Sequence, residues 1–170
     1  MEIVNKVKQS KLETVDLEAL VKDEPIQELD LKPFLFKGLI LKEKEFRDAV
    51  KEHDWSRYAN AWVGIHCSTD ALIPHWAWMV VASSAGEWAK GVFFGSGMEL
   101  REQVLLNRIE HKDWSLFQDS FVLLKGCSDM DLSPTVYVRA TEAIRPHVRK
   151  LMYGEACSNV PVYKTMQRRS

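Results

Sequence analysis

The sequence predicts an α/β protein, a mostly parallel sheet with helices on both faces, and three observations lead there. Short apolar runs such as Trp62-Val63-Gly64-Ile65 and Phe121-Val122-Leu123-Leu124 alternate with segments of helical period, the pattern of strands connected by crossover helices. Each of these two runs is followed at once by a Cys-Ser pair, a polar loop and a proline, which suits a strand end leading to a helix start. The chain also repeats itself with a period of 57 to 60 residues: Asp54-Trp55-Ser56 returns as Asp113-Trp114-Ser115, Cys67-Ser68 as Cys127-Ser128, and Pro74 as Pro134.

Taken in order, residues 10–21 read as a peripheral helix and Leu29-Asp30-Leu31 as an edge strand before Pro33. The alternation proper begins with a strand near Phe34. A helix over 39–51 then buries Phe46 and Val50, and the strand at 62–65 delivers Cys67. The next helix, 75–88, is apolar on nearly every side (Trp76, Trp78, Met79, Val80, Val81), which predicts burial on more than one face. Strand 91–94, helix 98–109, strand 121–124, helix 135–147 with Ser133 as N-cap, and strand 150–153 complete the order. No Gly/Ser linker breaks the chain, so 1–170 is expected to be a single domain: a peripheral segment 1–33, repeat units 34–92 and 93–151, and a C-terminal Cys-Ser segment and tail 152–170.

With 170 residues, 46% of them hydrophobic and 28% charged, the chain is long enough to bury a core without disulfides or a structural metal. A formal net charge of -1 speaks against nucleic acid as a partner, and the basic tail Lys164, Arg168, Arg169 reads as a solubilising end. No apolar stretch is long enough to span a bilayer as a helix, so no membrane partner is expected. The N-terminal residues lack a signal-peptide core and the three cysteines are an odd number, which together suggest the cytoplasm.

Candidate chemistry falls at the carboxyl ends of the strands, where open α/β sheets bind ligands. Repeat symmetry sets Cys67 and Cys127 at equivalent places there, and Cys157 follows the last strand. Three thiolates with His75 as fourth ligand would make a soft set for zinc or iron. Ser68, Asp70, Ser128, Asp129 and Ser158 are the candidate ligand-binding residues beside them. The alternative for each is plain: free cysteine packs as a small hydrophobe, serine caps loops, and loop aspartate is solvated. The sequence has no C-x-x-C and no H-E-x-x-H to narrow the choice.

Several blocks are distinctive: Glu2-Ile3-Val4-Asn5, Leu12-Glu13-Thr14-Val15-Asp16-Leu17-Glu18, Gly38-Leu39-Ile40-Leu41-Lys42-Glu43-Lys44, Glu52-His53-Asp54-Trp55-Ser56, the two blocks containing Cys67-Ser68 and Gly126-Cys127-Ser128, and the long closing run from Gly154 to Tyr163. Together they resemble a family of uncharacterised cytosolic proteins found mainly in Bacteroidetes. Ala156 stands where the family is associated with proline. The resemblance implies no activity, substrate or cofactor.

Three functions therefore compete. The first is a metal- or small-ligand-binding module using the Cys-Ser loops. The second is a structural or protein-interaction subunit, a homodimer among the options, whose Trp-rich helix makes the contact and whose cysteines pack. The third is a thiol enzyme with His75 or His66 as base. Whether the protein is an enzyme stays open at this point.

Overall fold

A computed structural model of the chain describes residues 12–126 and 131–165. The fold is α/β, with helices flanking sheets that are parallel or mixed. The strands divide between two sheets, and the chain divides into two compact units: unit 1 is Met1–Lys22 with Leu105–Ser170, and unit 2 is Asp23–Val104.

Unit 2 contains β2 (Ile26–Asp30), α1 (Glu43–Glu52), β3 (Trp62–His66), α2 (His75–Gly86) and β4 (Gly91–Phe94), following β1 (Leu12–Asp16) in the chain. Its sheet has the order β2-β3-β4, and both pairings are parallel. The central strand is buried along Trp62-Val63-Gly64-Ile65, as a strand covered on both sides must be. Val63 and Ile65 share a core with Phe46 and Val50 of α1 and with Ala77 and Val81 of α2. On the opposite face, Gly64 lies against α3 (Gly97–His111): a Cβ there would sit 2.5 Å from the Gly95 carbonyl oxygen and 2.5 Å from the Leu100 side chain.

Unit 1 contains β1, the later part of α3, β5 (Phe121–Lys125), α4 (Pro134–Ile144), β6 (Lys150–Glu155) and β7 (Ser158–Lys164). Its sheet has the order β1-β5-β6-β7, parallel except for the antiparallel β6–β7 hairpin. Pro161 sits in β7, an edge strand, where a missing N–H costs no ladder bond to a further strand.

The two units share a frame in detail. Residues 59 positions apart occupy matching places: Phe46 and Val50 with Leu105 and Ile109, and Ala77, Val81 and Ala85 with Val136, Ala140 and Ile144, all of them buried. Trp55 Nε1 donates to the Val50 carbonyl and Trp114 Nε1 to the Ile109 carbonyl, both at 2.8 Å. Asp54 and Asp113 cap the same 3-10 turn, each accepting from the hydroxyl two residues on at 2.6 Å. Asn60 and Asp119 then take the left-handed conformation (φ 61° and 60°), which short polar side chains tolerate. Trp62 pairs with Gly91 as Phe121 pairs with Lys150.

Several elements differ from the sequence reading. Residues 12–16 are not helical but form β1, because β5 offers them a parallel partner; the short helix nearby is only the 3-10 turn Glu18–Leu20. Phe34 ends the 3-10 turn Lys32–Phe34 rather than opening a strand, since Pro33 pre-sets the turn conformation. Helix α1 starts at Glu43, because residues 36–40 close a turn through the Phe36–Ile40 bridge. Helix α2 buries one stripe, Ala77-Val81-Ala85, while Met79 is exposed and Trp76 and Trp78 are half-buried. Residues 158–164 form β7, which the sequence reading treated as tail.

Candidate functional site

In unit 2 the strand ends meet at Asp30. Its Oδ1 accepts the backbone N–H of Lys32 (2.9 Å) and of Ser68 (3.0 Å), and its Oδ2 accepts the Ser68 hydroxyl at 2.6 Å. Burial, the largest influence, pushes this carboxyl up, but the Ser68 hydroxyl, the two N–H donors and nearby His66 together bring it below its ordinary value. Asp30 thus ties the end of β2 to the loop after β3 as a charged group. Cys67 is half-buried on the unit 2 core, with Sγ 3.4 Å from the Thr69 hydroxyl, which donates to the Gly38 carbonyl at 3.0 Å. Asp70 and His75 are exposed.

A second feature of unit 2 is the aromatic seat of His53. Its ring lies 4.7 Å from Trp55 and 5.2 Å from Phe34, and its Nε2 is 3.2 Å from the Tyr58 hydroxyl. Burial, with Arg57 adding to it, lowers the imidazole below its ordinary value, and burial raises the Tyr58 phenol. A cleft of about 450 Å³ opens beside them, lined by Glu28, Asp30, Glu52 and Arg57 among others.

Unit 1 holds the more distinctive feature, an apolar groove of about 600 Å³ between α4 and the β5–β6–β7 surface. Its floor follows from strand alternation: Leu124, Leu151, Tyr153, Val160 and Val162 line it from the three strands. Val160 is 64% exposed and Val162 49%, values at odds with a strand face packed under a helix. The wall is α4, through Tyr137, Val138, Thr141 and Glu142. Polar groups are few, and two of them meet: Tyr137 and Tyr153 cross edge-to-face with centroids 5.6 Å apart. Both hydroxyls point to Gly126, where a Cβ would lie 3.0 Å from each.

The residues singled out from the sequence are distributed as follows. Cys67, Ser68, Asp70 and His75 belong to unit 2, and Cys157 and Ser158 lie exposed at the β6–β7 turn of unit 1. Cys127, Ser128 and Asp129 lie outside the described residues. Among the described residues, no three His, Cys, Asp or Glu side chains gather where a metal ion could be held. The strand registers also refine the repeat: with Trp62 matching Phe121, Cys67 falls level with Gly126, one place before the second cysteine. Sequence reasoning missed Asp30, Gly126, Tyr137 and Tyr153. The available signal for the tyrosines was their 59-residue spacing from Trp78 and Phe94, an aromatic pair of the same geometry (5.2 Å, edge-to-face).

Among the described residues, no helix is long and apolar enough to cross a membrane. The model of a family described as protein of unknown function (DUF2480) matches residues 1–165. No curated protein and no solved structure matches the chain.

Proposed function

The chain belongs to the DUF2480 family, and from its own geometry we propose that it is a small-ligand-binding module whose site is the unit 1 groove. The observation that carries this reading is the groove itself: about 600 Å³, apolar floor, few polar groups. Ligand pockets typically measure roughly 300–1,000 Å³ and pair apolar walls with a small number of placed polar atoms. Strand β7 creates it by widening the sheet past the reach of α4. Among the described residues, no nucleophile–base pair lines it, and the reading is one of binding.

Equilibrium dialysis of naphthalene against the wild-type chain and Val160→Asp tests this. Val160 is exposed on an edge strand, so the fold should tolerate the change while the floor becomes charged. At least tenfold weaker binding in the variant is expected, about the cost of seating an apolar ring on a carboxylate. Equal retention by both proteins, or none by either, contradicts the proposal.

Two finer proposals accompany this one. The 59-residue correspondence of the units supports an internal duplication of a segment about that long. The zinc or iron set of Cys67, Cys127, Cys157 and His75 is a separate proposal for a protein working in the cytoplasm. Metal content per chain, measured beside the triple cysteine-to-serine variant, decides it; a homodimer is decided by sedimentation.

A further inference from the structure

We propose that a turn of unit 2, residues 36–40, docks on an anionic lipid surface. Phe36, Leu39 and Ile40 would enter the interface while Lys32, Lys37 and Lys42 meet the headgroups. This docking role is independent of the groove.

The turn is tight and anchored. Phe36 and Ile40 bridge antiparallel, which sets their side chains on one face, and Lys37 and Gly38 both take the left-handed conformation (φ 52° and 70°). The Thr69 hydroxyl holds the Gly38 carbonyl at 3.0 Å and so ties the tip to the loop after β3. The tip nonetheless presents apolar side chains to water: Leu39 is 58% exposed, Ile40 56% and Phe36 38%. Leu72, almost wholly exposed, lies three residues beyond Thr69 in that same loop.

Lysines surround these side chains. Lys42 Nζ lies 3.4 Å from the Phe36 ring centroid and Lys37 Nζ 5.4 Å. The Lys32 side chain runs past Gly38, with Cγ and Cε each 3.4 Å from where a Cβ would be. Lys42 pairs with Glu45 at 3.0 Å, and the adjacent Glu43 pairs with Arg47 at 2.9 Å. Lys32 and Lys37 have no ion-pair partner among the described residues, so their charge is left for a negative surface. Lysine at a left-handed position also runs against backbone preference, since Gly or Asn adopts it at lower cost. Apolar side chains ringed by ammonium groups supply the two terms of interfacial binding, apolar insertion and attraction to anionic lipid. Such a contact is peripheral and needs no membrane-spanning helix.

The frame does not demand this tip. Leu41 packs on the unit 2 core, and Leu100, 59 positions later, is fully buried. Around Leu100 the chain is already helical from Gly97, and Glu99 stands in the place of Ile40. Residues 38–42 therefore give up the helical turn that their counterparts form and hold Leu39 and Ile40 outward instead.

The test is co-sedimentation of the full chain with vesicles of phosphatidylcholine, alone or mixed equally with phosphatidylserine. The mixed vesicles should retain the chain about tenfold more strongly, and the preference should fade as salt rises. Lys32→Gln with Lys37→Asn, where Asn keeps the left-handed turn, should weaken retention about fivefold per lysine lost. Leu39→Ser with Ile40→Ser should weaken it about tenfold at unchanged Tm, because both side chains are exposed. No retention by the mixed vesicles, the result a protein-binding tip would give, overturns the inference. Equal retention by both compositions, or retention unchanged in either double variant, overturns it as well.

Discussion

Units 1 and 2 carry the same turn in the same place, yet they differ where each sheet ends. Asp-Trp-Ser, a 3-10 turn and a left-handed Asn or Asp lead into the central strand of both, with the tryptophan pinned to a carbonyl five residues back. At the strand ends unit 2 has Asp30 clamping Ser68, a half-buried thiol and the Trp78–Phe94 pair. Unit 1 has Gly126, the Tyr137–Tyr153 pair and an additional strand, β7. The matching residues show what the fold requires of both units, and the differences at the strand ends set the two apart.

The pinning tryptophans give the largest expected effect. Trp114 is 5% exposed while Trp55 is half-buried. Trp114→Ala should therefore cost about 4 kcal/mol by denaturant unfolding, and Trp55→Ala clearly less. Equal losses would mean the two turns are not differently embedded. The comparison sharpens at Gly64 and Leu123, which occupy matching places in the two central strands. Gly64→Ala should cost about 3 kcal/mol by driving a methyl into the Gly95 carbonyl and Leu100. Leu123→Ala should cost about 3 kcal/mol for the opposite reason, a cavity. A neutral Gly64→Ala would show that the α3 end is not held against β3.

Next comes Asp30→Ala, about 2 kcal/mol for the Lys32 and Ser68 donors stripped of their carboxylate. Its pH dependence follows from a carboxyl lowered in the folded state. The stabilisation is complete above the ordinary carboxylate range and disappears as pH falls through the lowered folded value. Wild type and variant should therefore converge in stability at strongly acid pH and diverge toward neutrality; a gap that persists at acid pH would refute the charged clamp. The smallest effects belong to Asp54→Ala and Asp113→Ala. Both carboxyls are lowered mainly by the serine hydroxyl two residues on, and both are fully solvated. Small and similar drops in Tm should result, and a large drop in one alone would break the equivalence of the turns.

Much of this frame was legible in the sequence because rare residues carry it. Trp, Asp and Ser at fixed spacing signalled the repeated turn, and the apolar runs at 62–65 and 121–124 located both central strands. The first strand was not legible, although Leu29-Asp30-Leu31 did mark the edge strand β2: Leu12–Asp16 has no partner until β5, more than a hundred residues later, and unit 2 lies between them in the chain. Local pattern cannot reveal so distant a pairing. Strand β7 was obscured by Pro161, which reads as a breaker unless the strand is known to lie at an edge. Cysteine drew attention to Cys67, where the structure shows a thiol packed on the core beside Thr69. The groove was hidden because valine and tyrosine on a strand read as core; only the uncovered face of β7 turns them into a surface.

The most direct test of the account is a backbone ¹H–¹⁵N shift map of the full chain titrated with naphthalene. Perturbations should gather on Leu124, Val138, Leu151, Tyr153, Val160 and Val162 of unit 1. Perturbations gathered on Trp78 and Phe94 of unit 2, or none at all, would contradict the assignment of the site to the groove of unit 1.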